Sequence, residues 1–250
     1  EMGEKAVAAA RAVNYRGAGT IEFLVDKYRH FYFLEMNTRL QVEHPITEEV
    51  VGVDLVKEQL HVAGGEALRF KQEDLFQRGH AIECRICAED TENGFIPCPG
   101  IIRQLTEPNG IGVRIDSYVY EGYEIPLYYD PMIGKLIVWA TNRQFAIERM
   151  RRVLYEFKIT GLKTNISYLR RIMYAPAFVK GEYDTSFLSK YSRSLQRSNG
   201  ENEEIENMAM IAAYVDYLFN LEENSPVRTT DSRPISRWRE FGLQKGVLRI

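Results

Sequence analysis

The chain has 250 residues, of which 45% are hydrophobic and 27% are charged, and its formal net charge is −3. This composition is typical of a globular protein with a core of ordinary size, in one large domain or two smaller ones. The charge balance provides no basic field that would favour nucleic acid as a partner. No apolar run approaches the ~20 residues that a membrane-spanning helix needs.

The first predicted elements are a helix and a hairpin. Apolar residues at helical spacing predict a helix over residues 2–15, which Gly17 and Gly19 then end. Residues 20–25 and 31–34 read as two strands joined by a polar turn. The strands can pair so that Glu22 lies opposite Glu35. Three apolar pairs would then share the other face: Ile21 with Met36, Phe23 with Leu34, and Val25 with Tyr32.

Two opposed carboxylates on one sheet face need an explanation. Glu22 and Glu35 would repel each other, whereas a hard cation between them would turn that repulsion into attraction. Asn37 follows on the same face as Glu35 and adds an amide oxygen. Such an oxygen-only set with few carboxylates suits magnesium held together with a nucleotide. The alternative is a pair of solvated glutamates on an exposed sheet, because short motifs match by chance.

The segment after the hairpin has side chains for anion and proton chemistry. Arg39 can hold a planar oxyanion with two parallel hydrogen bonds. Glu43 is a candidate general base. His44 and Pro45 are predicted to end the strand. Two helix caps are then predicted, at Thr47 and Asp54, and the glycine pair 64–65 ends the second helix.

The pattern changes near residue 78, where a domain boundary is predicted. Short strand-like runs follow at residues 81–86, 100–105, 112–119 and 135–140, separated by turns rich in proline and glycine. In the third run, Arg114 and Asp116 fall on the same face. A lone strand arginine is usually a solvated or salt-bridged surface group.

Helices and linkers complete the prediction. Asn142 is expected to cap an amphipathic helix, and residues 165–174 form another. The apolar stripe of the first of these helices comprises Ile147, Met150, Val153, Leu154 and Phe157. Polar linkers are predicted at residues 192–204 and 222–236, with a helix over 208–218 between them and a strand after Trp238.

The cysteines indicate a reducing compartment. Cys84 and Cys87 lie three apart in a strand-like run, so their side chains face opposite ways and do not form a zinc or redox pair. Reduced cysteines predict a cytoplasmic protein, or one of the mitochondrial matrix in a eukaryote.

The run from Glu35 to Pro45, EMNTRLQVEHP, resembles biotin carboxylase, an ATP-grasp ligase found in acyl-CoA carboxylases and pyruvate carboxylase. The run GHAIECRI at residues 79–86 resembles the opening of the C-terminal domain of that family, with departures at Cys87 and Cys98. The resemblance covers residues 1–190. It implies an α+β chain: the C-terminal part of an ATP-grasp domain over 1–78, a mixed α/β biotin carboxylase C-terminal domain over 79–191, and a linker, a helix and the start of a following domain over 192–250.

The resemblance implies ATP- and bicarbonate-dependent carboxylation of biotin on a carrier domain. Magnesium or manganese would be held by Glu22, Glu35 and Asn37 against the phosphates of ATP. Bicarbonate would be held by Arg39, Gln41 and the main-chain N–H of Val42. Glu43 would deprotonate bicarbonate, and Arg114 would stabilise the biotin enolate. Expected partners are a biotin carboxyl carrier domain, a carboxyltransferase subunit or domain, and a second copy in a homodimer, with neither nucleic acid nor membrane.

Both ends of the sequence fall within a pattern, so a segment of a longer polypeptide is expected, inactive or nearly so in isolation, because it has no glycine-rich phosphate loop. Two alternatives stay open at this point. One is another ATP-grasp ligase, which would share Glu-x-Asn but not the full run. The other is a non-catalytic dimerisation or docking fragment.

Overall fold

The computed structural model describes residues 1–195 and 208–216. Residues up to Arg197 form one compact unit, and residues from Ser198 belong to a second. In the second unit, residues 208–216 are helical, within the helix predicted there. The predicted linker 222–236 and the strand after Trp238 lie outside the described residues.

The first unit begins with a helix, a hairpin and two more helices. These are α1 (Met2–Ala12), β1 (Thr20–Val25), β2 (Phe31–Asn37), α2 (His44–Val51) and α3 (Leu55–Ala63). Helix α1 is shorter than predicted, since the chain leaves the helix at Val13 and takes a positive φ of 47° at Asn14. A short 3-10 turn at Gln72–Asp74 follows α3.

The hairpin confirms one half of the predicted register and corrects the other. Glu22 pairs with Glu35 and Ile21 with Met36, as expected. The register then shifts, so that Phe23 lies opposite Phe33, leaving Leu34 as an extra residue. The predicted pairs of Phe23 with Leu34 and Val25 with Tyr32 are therefore wrong: Tyr32 pairs with Leu24, and Phe31 with Val25.

Phenylalanine packing gives a physical reason for this β-bulge. A regular strand would put Phe31 and Phe33 on the face that carries the carboxylates. One extra residue moves both to the opposite face, where their rings meet Phe23 edge to face, with centroids 5.5 and 6.4 Å away.

Helix α2 starts earlier than predicted. His44 is its first residue, and Pro45 occupies the first turn, where its missing N–H costs nothing. Thr47 therefore lies inside the helix and is not a cap. The other predicted cap is confirmed, because the Asp54 side chain accepts a 2.8 Å hydrogen bond from the Lys57 amide at the start of α3.

A three-stranded antiparallel sheet forms the centre of the remaining first unit. Its order is β3 (His80–Cys87), β10 (Met132–Ala140) and β8 (Val113–Ser117). Four further two-residue strands pair in separate small sheets: β4 (Glu89–Asp90) with β5 (Ile96–Pro97), and β6 (Gly100–Ile101) with β9 (Glu124–Ile125). The strand predicted at 100–105 is in fact two strands, because β7 (Gln104–Thr106) pairs elsewhere, with β11 (Lys158–Thr160).

The sheet has one apolar face and one charged face. The apolar face packs under α4 (Arg143–Glu156) and α5 (Ile166–Tyr174), with core residues such as Ile82, Leu136 and Met150. Asn142 caps α4, as predicted, by accepting a 2.9 Å hydrogen bond from Phe145. The predicted apolar stripe of α4 is buried throughout.

Three short helices close this unit: α6 (Pro176–Lys180), α7 (Phe187–Lys190) and α8 (Ser192–Leu195). The polar run predicted as a linker from residue 192 thus begins with a helical turn, since Leu195 is buried beside Tyr168 and Phe187.

Candidate functional site

The end of the hairpin brings Glu22, Glu35, Asn37 and Gln41 together. The Asn37 amide Nδ2 donates to Glu22 Oε1 at 2.8 Å and to Glu35 Oε1 at 3.2 Å. Gln41 Nε2 donates to the same Glu22 oxygen at 2.7 Å. Strand pairing positions the two carboxylates, and the two amides hold them in place.

This cluster fits a hard cation by its donor chemistry. Glu22 and Glu35 are directly opposite each other, and the groups that bind them are neutral amides, so their negative charge is not neutralised by these bonds. Among the described residues there is no group of three or more His, Cys, Asp or Glu side chains that could hold a metal. The hairpin cluster has only two carboxylates, from Glu22 and Glu35, and one amide oxygen, from Asn37. Such a small oxygen set is appropriate for magnesium that keeps further ligands from phosphate or water.

The loop from Arg39 to Glu43 adjoins this cluster, and we call it the anion loop. Arg39 is exposed; its guanidinium donates to the Leu40 carbonyl at 3.2 Å and approaches Asn37 Oδ1 at 3.4 Å. The predicted metal and anion residues therefore lie side by side.

Glu43, the predicted base, stands at the start of α2. Its Oε2 accepts a 2.8 Å hydrogen bond from Arg85 Nη2 on β3, and each of these two side chains is about half exposed. The bond links the anion loop to the charged face of the sheet.

That charged face lies against α2, which contacts β3 and β10. Antiparallel pairing puts Arg85 and Asp116 on either side of Lys135, and Glu83 and Arg114 on either side of the buried Ile137. Residues from three strands thereby converge below the anion loop.

Arg114 is held from two directions. Its Nε and Nη2 donate to the two carboxylate oxygens of Asp116 at 2.8 and 3.0 Å, which confirms that the two side chains share a face. Its Nη1 donates to Glu48 Oε2 at 2.7 Å, and Glu48 Oε1 accepts from the Leu55 amide at 2.8 Å. The guanidinium of Arg114 is thus fixed between Asp116 on the sheet and Glu48 on α2, and Glu48 is itself held by the first amide of α3.

The charges around Arg114 reinforce its ionised form. The hydrogen bond from Arg114 to Asp116 raises the pKa of the guanidinium, and the contact with Glu48 adds to this. Burial would raise the pKa of Asp116, but hydrogen bonds from Arg114 and Lys135 outweigh it and lower that pKa.

An open cleft of about 590 Å³ borders Arg114. It is lined by Glu48, Glu49, Gly52, Val53, Asp54, Val56 and Arg114. A substrate that reached Arg114 through this cleft would meet a guanidinium already held in one orientation.

Sequence reasoning missed four residues of the site: Glu48, Glu83, Arg85 and Lys135. Arg85 and Lys135 lie in runs that were predicted only as strands, and alternation along a strand does not identify the residues that a side chain contacts on other elements. Glu83 is half-buried, and burial raises its pKa to about 7 although Lys135 and Arg85 act to lower it.

In the described part of the chain, we find no helix with the length and apolar character needed to cross a membrane.

Comparison with known proteins agrees with this geometry. Residues 1–71 match the family of the carbamoyl-phosphate synthase L chain, ATP binding domain, and residues 83–190 match the biotin carboxylase C-terminal domain. The chain is 56% identical over 193 residues to a biotin carboxylase of Nostoc sp., which covers 77% of this chain and 43% of the relative. It is 52% identical over 192 residues to biotin carboxylase 1 of Bacillus subtilis, covering 76% and 43%.

Solved structures give the same result. The biotin carboxylase domain dimer of the Hydrogenobacter thermophilus 2-oxoglutarate carboxylase, in complex with MgADP, ADP and bicarbonate, is 44% identical. It superposes with a TM-score of 0.77 over 79% of this chain and 44% of that one. The biotin carboxylase subunit of a pyruvate carboxylase matches with a TM-score of 0.74 at 44% identity, over 76% and 42%.

The hairpin and the anion loop therefore belong to the C-terminal part of an ATP-grasp domain. Over the matched residues, the chain belongs to the biotin carboxylase family. It spans about two fifths of the length of the relatives it matches.

Proposed function

We propose that this chain supplies the metal, bicarbonate and biotin side of a biotin carboxylase active site. The enzyme would carboxylate biotin on a carrier domain, using ATP and bicarbonate. The observation that carries the proposal is the convergence of the hairpin cluster, the anion loop and Arg114 around α2. The relatives named above support it by their names and by the bicarbonate and MgADP in one neighbour.

The proposed roles follow from the side chains. Glu22, Glu35 and Asn37 would hold magnesium, or manganese, and such a cation supplies charge neutralisation at the phosphates of ATP. For this, Asn37 would present its Oδ1 in place of the Nδ2 that now bonds both carboxylates.

The anion loop would handle bicarbonate. Arg39, Gln41 and the Val42 N–H would bind it, and Glu43 would take its proton. The freed oxygen then attacks the γ-phosphorus of ATP as the bond to ADP breaks. Arg85 holds Glu43 in its present position and would have to share that carboxylate with the substrate.

Arg114 would bind the ureido oxygen of biotin as negative charge develops there. A guanidinium stays charged throughout and donates from a fixed plane, which suits an enolate. Asp116 and Glu48 already orient it, so little reorganisation is needed at the moment of reaction.

The domain division proposed is 1–78, 79–191 and 192–250. ATP and carrier-linked biotin are the proposed substrates. A carrier domain, a carboxyltransferase and a second copy of the enzyme are the proposed partners, in the cytoplasm or in an organelle matrix. One relative has a mitochondrial name and another a chloroplastic one, which is compatible with either compartment.

A chimera tests this function. The 193 residues of the Nostoc enzyme that match this chain would be replaced by those of this chain. ADP formation from Mg-ATP and bicarbonate would be measured with and without free biotin. We expect biotin-stimulated turnover, and a loss of about a hundredfold or more for Arg39→Ala, by analogy with the loss of an oxyanion donor.

Two controls make the result decisive. Exposed Lys163→Met should leave turnover unchanged, since Lys163 pairs with Asp90 at the surface. Glu43→Gln with normal turnover would contradict the assignment of the base. A folded chimera without biotin stimulation would refute the proposed function.

A further inference from the structure

Among the residues that the structure describes, Lys135 is the charged residue of the sheet that contacts both the anion loop, at Val42, and the carboxylate that holds Arg114, at Asp116. It lies in β10, and its side chain is only 11% exposed. Its ammonium donates to the Val42 carbonyl at 3.1 Å and pairs with Asp116 Oδ2 at 3.2 Å. None of the roles proposed above uses this residue.

The bond to Val42 acts on the anion loop. The Val42 carbonyl belongs to the peptide that joins Val42 to Glu43, so fixing it restrains the rotation between the Val42 N–H and the Glu43 carboxylate. These are the groups proposed to bind bicarbonate and to take its proton. A donor from another strand, 93 residues away in sequence, thus restrains the backbone of the loop.

The bond to Asp116 acts on Arg114. Asp116 binds Arg114 through both carboxylate oxygens, and the oxygen shared with Lys135 is the one that accepts from Arg114 Nη2. Val42, Lys135, Asp116 and Arg114 therefore form one continuous chain of polar contacts from the anion loop to the guanidinium.

A lysine is suited to this position. Its ammonium is a compact charge with three donors, so one group can serve a carbonyl and a carboxylate that lie in different directions. Burying it without partners would be costly, and here each partner is an acceptor of the site itself. The other charges that face Lys135 are Glu83 and Arg85 on β3.

We propose that Lys135 is a positioning residue. It fixes the position of the anion loop relative to Arg114 by binding the Val42 carbonyl and Asp116 at the same time. This rests on the proposed function, in which bicarbonate bound at the loop must deliver its carbon to biotin bound at Arg114. In metal sites, which are the nearest measured analogy, mutation of residues that orient the ligands in this way lowers metal affinity or activity by about 10–100-fold.

The test compares Lys135→Met with Lys163→Met in the chain itself. Methionine keeps the length of the side chain but loses its charge and donors. Lys163 is the matched control, because it also pairs with one aspartate, at 2.5 Å, but is 60% exposed. Three measurements are made on each variant: the ¹⁵N signal of the Glu43 amide, the ¹⁵N signal of Arg114 Nε, and the dissociation constant for ¹³C-bicarbonate. Urea unfolding at the same pH shows that each variant is folded.

We expect Lys135→Met to shift both nitrogen signals and to weaken bicarbonate binding by roughly tenfold, while Lys163→Met changes none of them. A folded Lys135→Met with both signals unchanged would overturn the inference. So would a shift in only one of them, because Lys135 would then serve a single partner. If the wild-type chain binds no bicarbonate, the proposed anion site fails, but the two nitrogen signals still decide the role of Lys135.

Discussion

Glu83 should make the folded state less stable as the pH rises. Its side chain is half-buried on the charged face of the sheet, and its buried Oε2 has no hydrogen-bond partner among the described residues. Burial raises the pKa of Glu83 from 4.5 to about 7. The proton is therefore bound more tightly in the folded chain than in the unfolded one.

The sign and size of the effect follow from linkage. Between about pH 4.5 and pH 7 the unfolded chain has released this proton while the folded chain still holds it, so the free energy of unfolding falls across that window. A shift of this size would correspond to roughly 3 kcal/mol at 1.36 kcal/mol per pKa unit. Because the group is only partly buried and two cations face it, we expect about 1–2 kcal/mol.

The assay is urea unfolding at pH 5 and pH 8 of the wild type and Glu83→Gln, followed by Trp139 fluorescence in a Trp238→Phe background. Glutamine keeps the shape but cannot ionise. The free energy of unfolding of the variant minus that of the wild type should be about 1–2 kcal/mol larger at pH 8 than at pH 5. Glu156→Gln is the control, since Glu156 forms a surface ion pair with Arg152 that is worth at most about 1 kcal/mol. Identical pH dependence of Glu83→Gln and the wild type would refute the reasoning.

Three further substitutions test the contacts that hold the site. Glu48→Ala should lower the free energy of unfolding by about 2–3 kcal/mol, because it leaves Arg114 Nη1 and the Leu55 amide without the carboxylate that accepts from both; a loss below ~0.5 kcal/mol in urea would contradict this. Asn142→Ala should cost about 1 kcal/mol and speed hydrogen exchange of the Phe145 amide that it caps, and unchanged exchange would argue against the cap. Asn165→Ala should cost about 2 kcal/mol in thermal unfolding, since its buried amide serves a carbonyl and an N–H of β3; an unshifted midpoint would count against that bridge.

Much of the fold was predictable because its signals are local. The Glu22–Glu35 pairing involves two short strands joined by one turn, so a local pattern predicts it, although alternation does not indicate the extra residue at Leu34. The caps at Asp54 and Asn142 also depend on residues three positions away. The family resemblance then grouped the residues of the hairpin and the anion loop.

The rest depends on contacts between distant segments, which periodicity does not contain. The sequence places Arg114 and Asp116 on one face, but it does not indicate that Glu48, 66 residues earlier, completes the grip on the guanidinium. Nor does it indicate that Lys135 reaches back to Val42. The break in the run 100–105 was missed for the same reason, since its two halves pair with different strands.

The extra residue at Leu34 has a consequence for anyone who aligns or transplants this hairpin. After the extra residue, Glu35 and Asn37 face the same way as Glu22. Before it, Phe31 and Phe33 face the same way as Phe23. A one-residue deletion there would remove the bulge and leave the carboxylate pair and the pairs of Phe33 with Phe23 and Phe31 with Val25 in their present register. A one-residue gap at position 34 of an alignment is therefore compatible with the same carboxylate pair and the same phenylalanine contacts, and a graft of this metal-binding end can omit that residue.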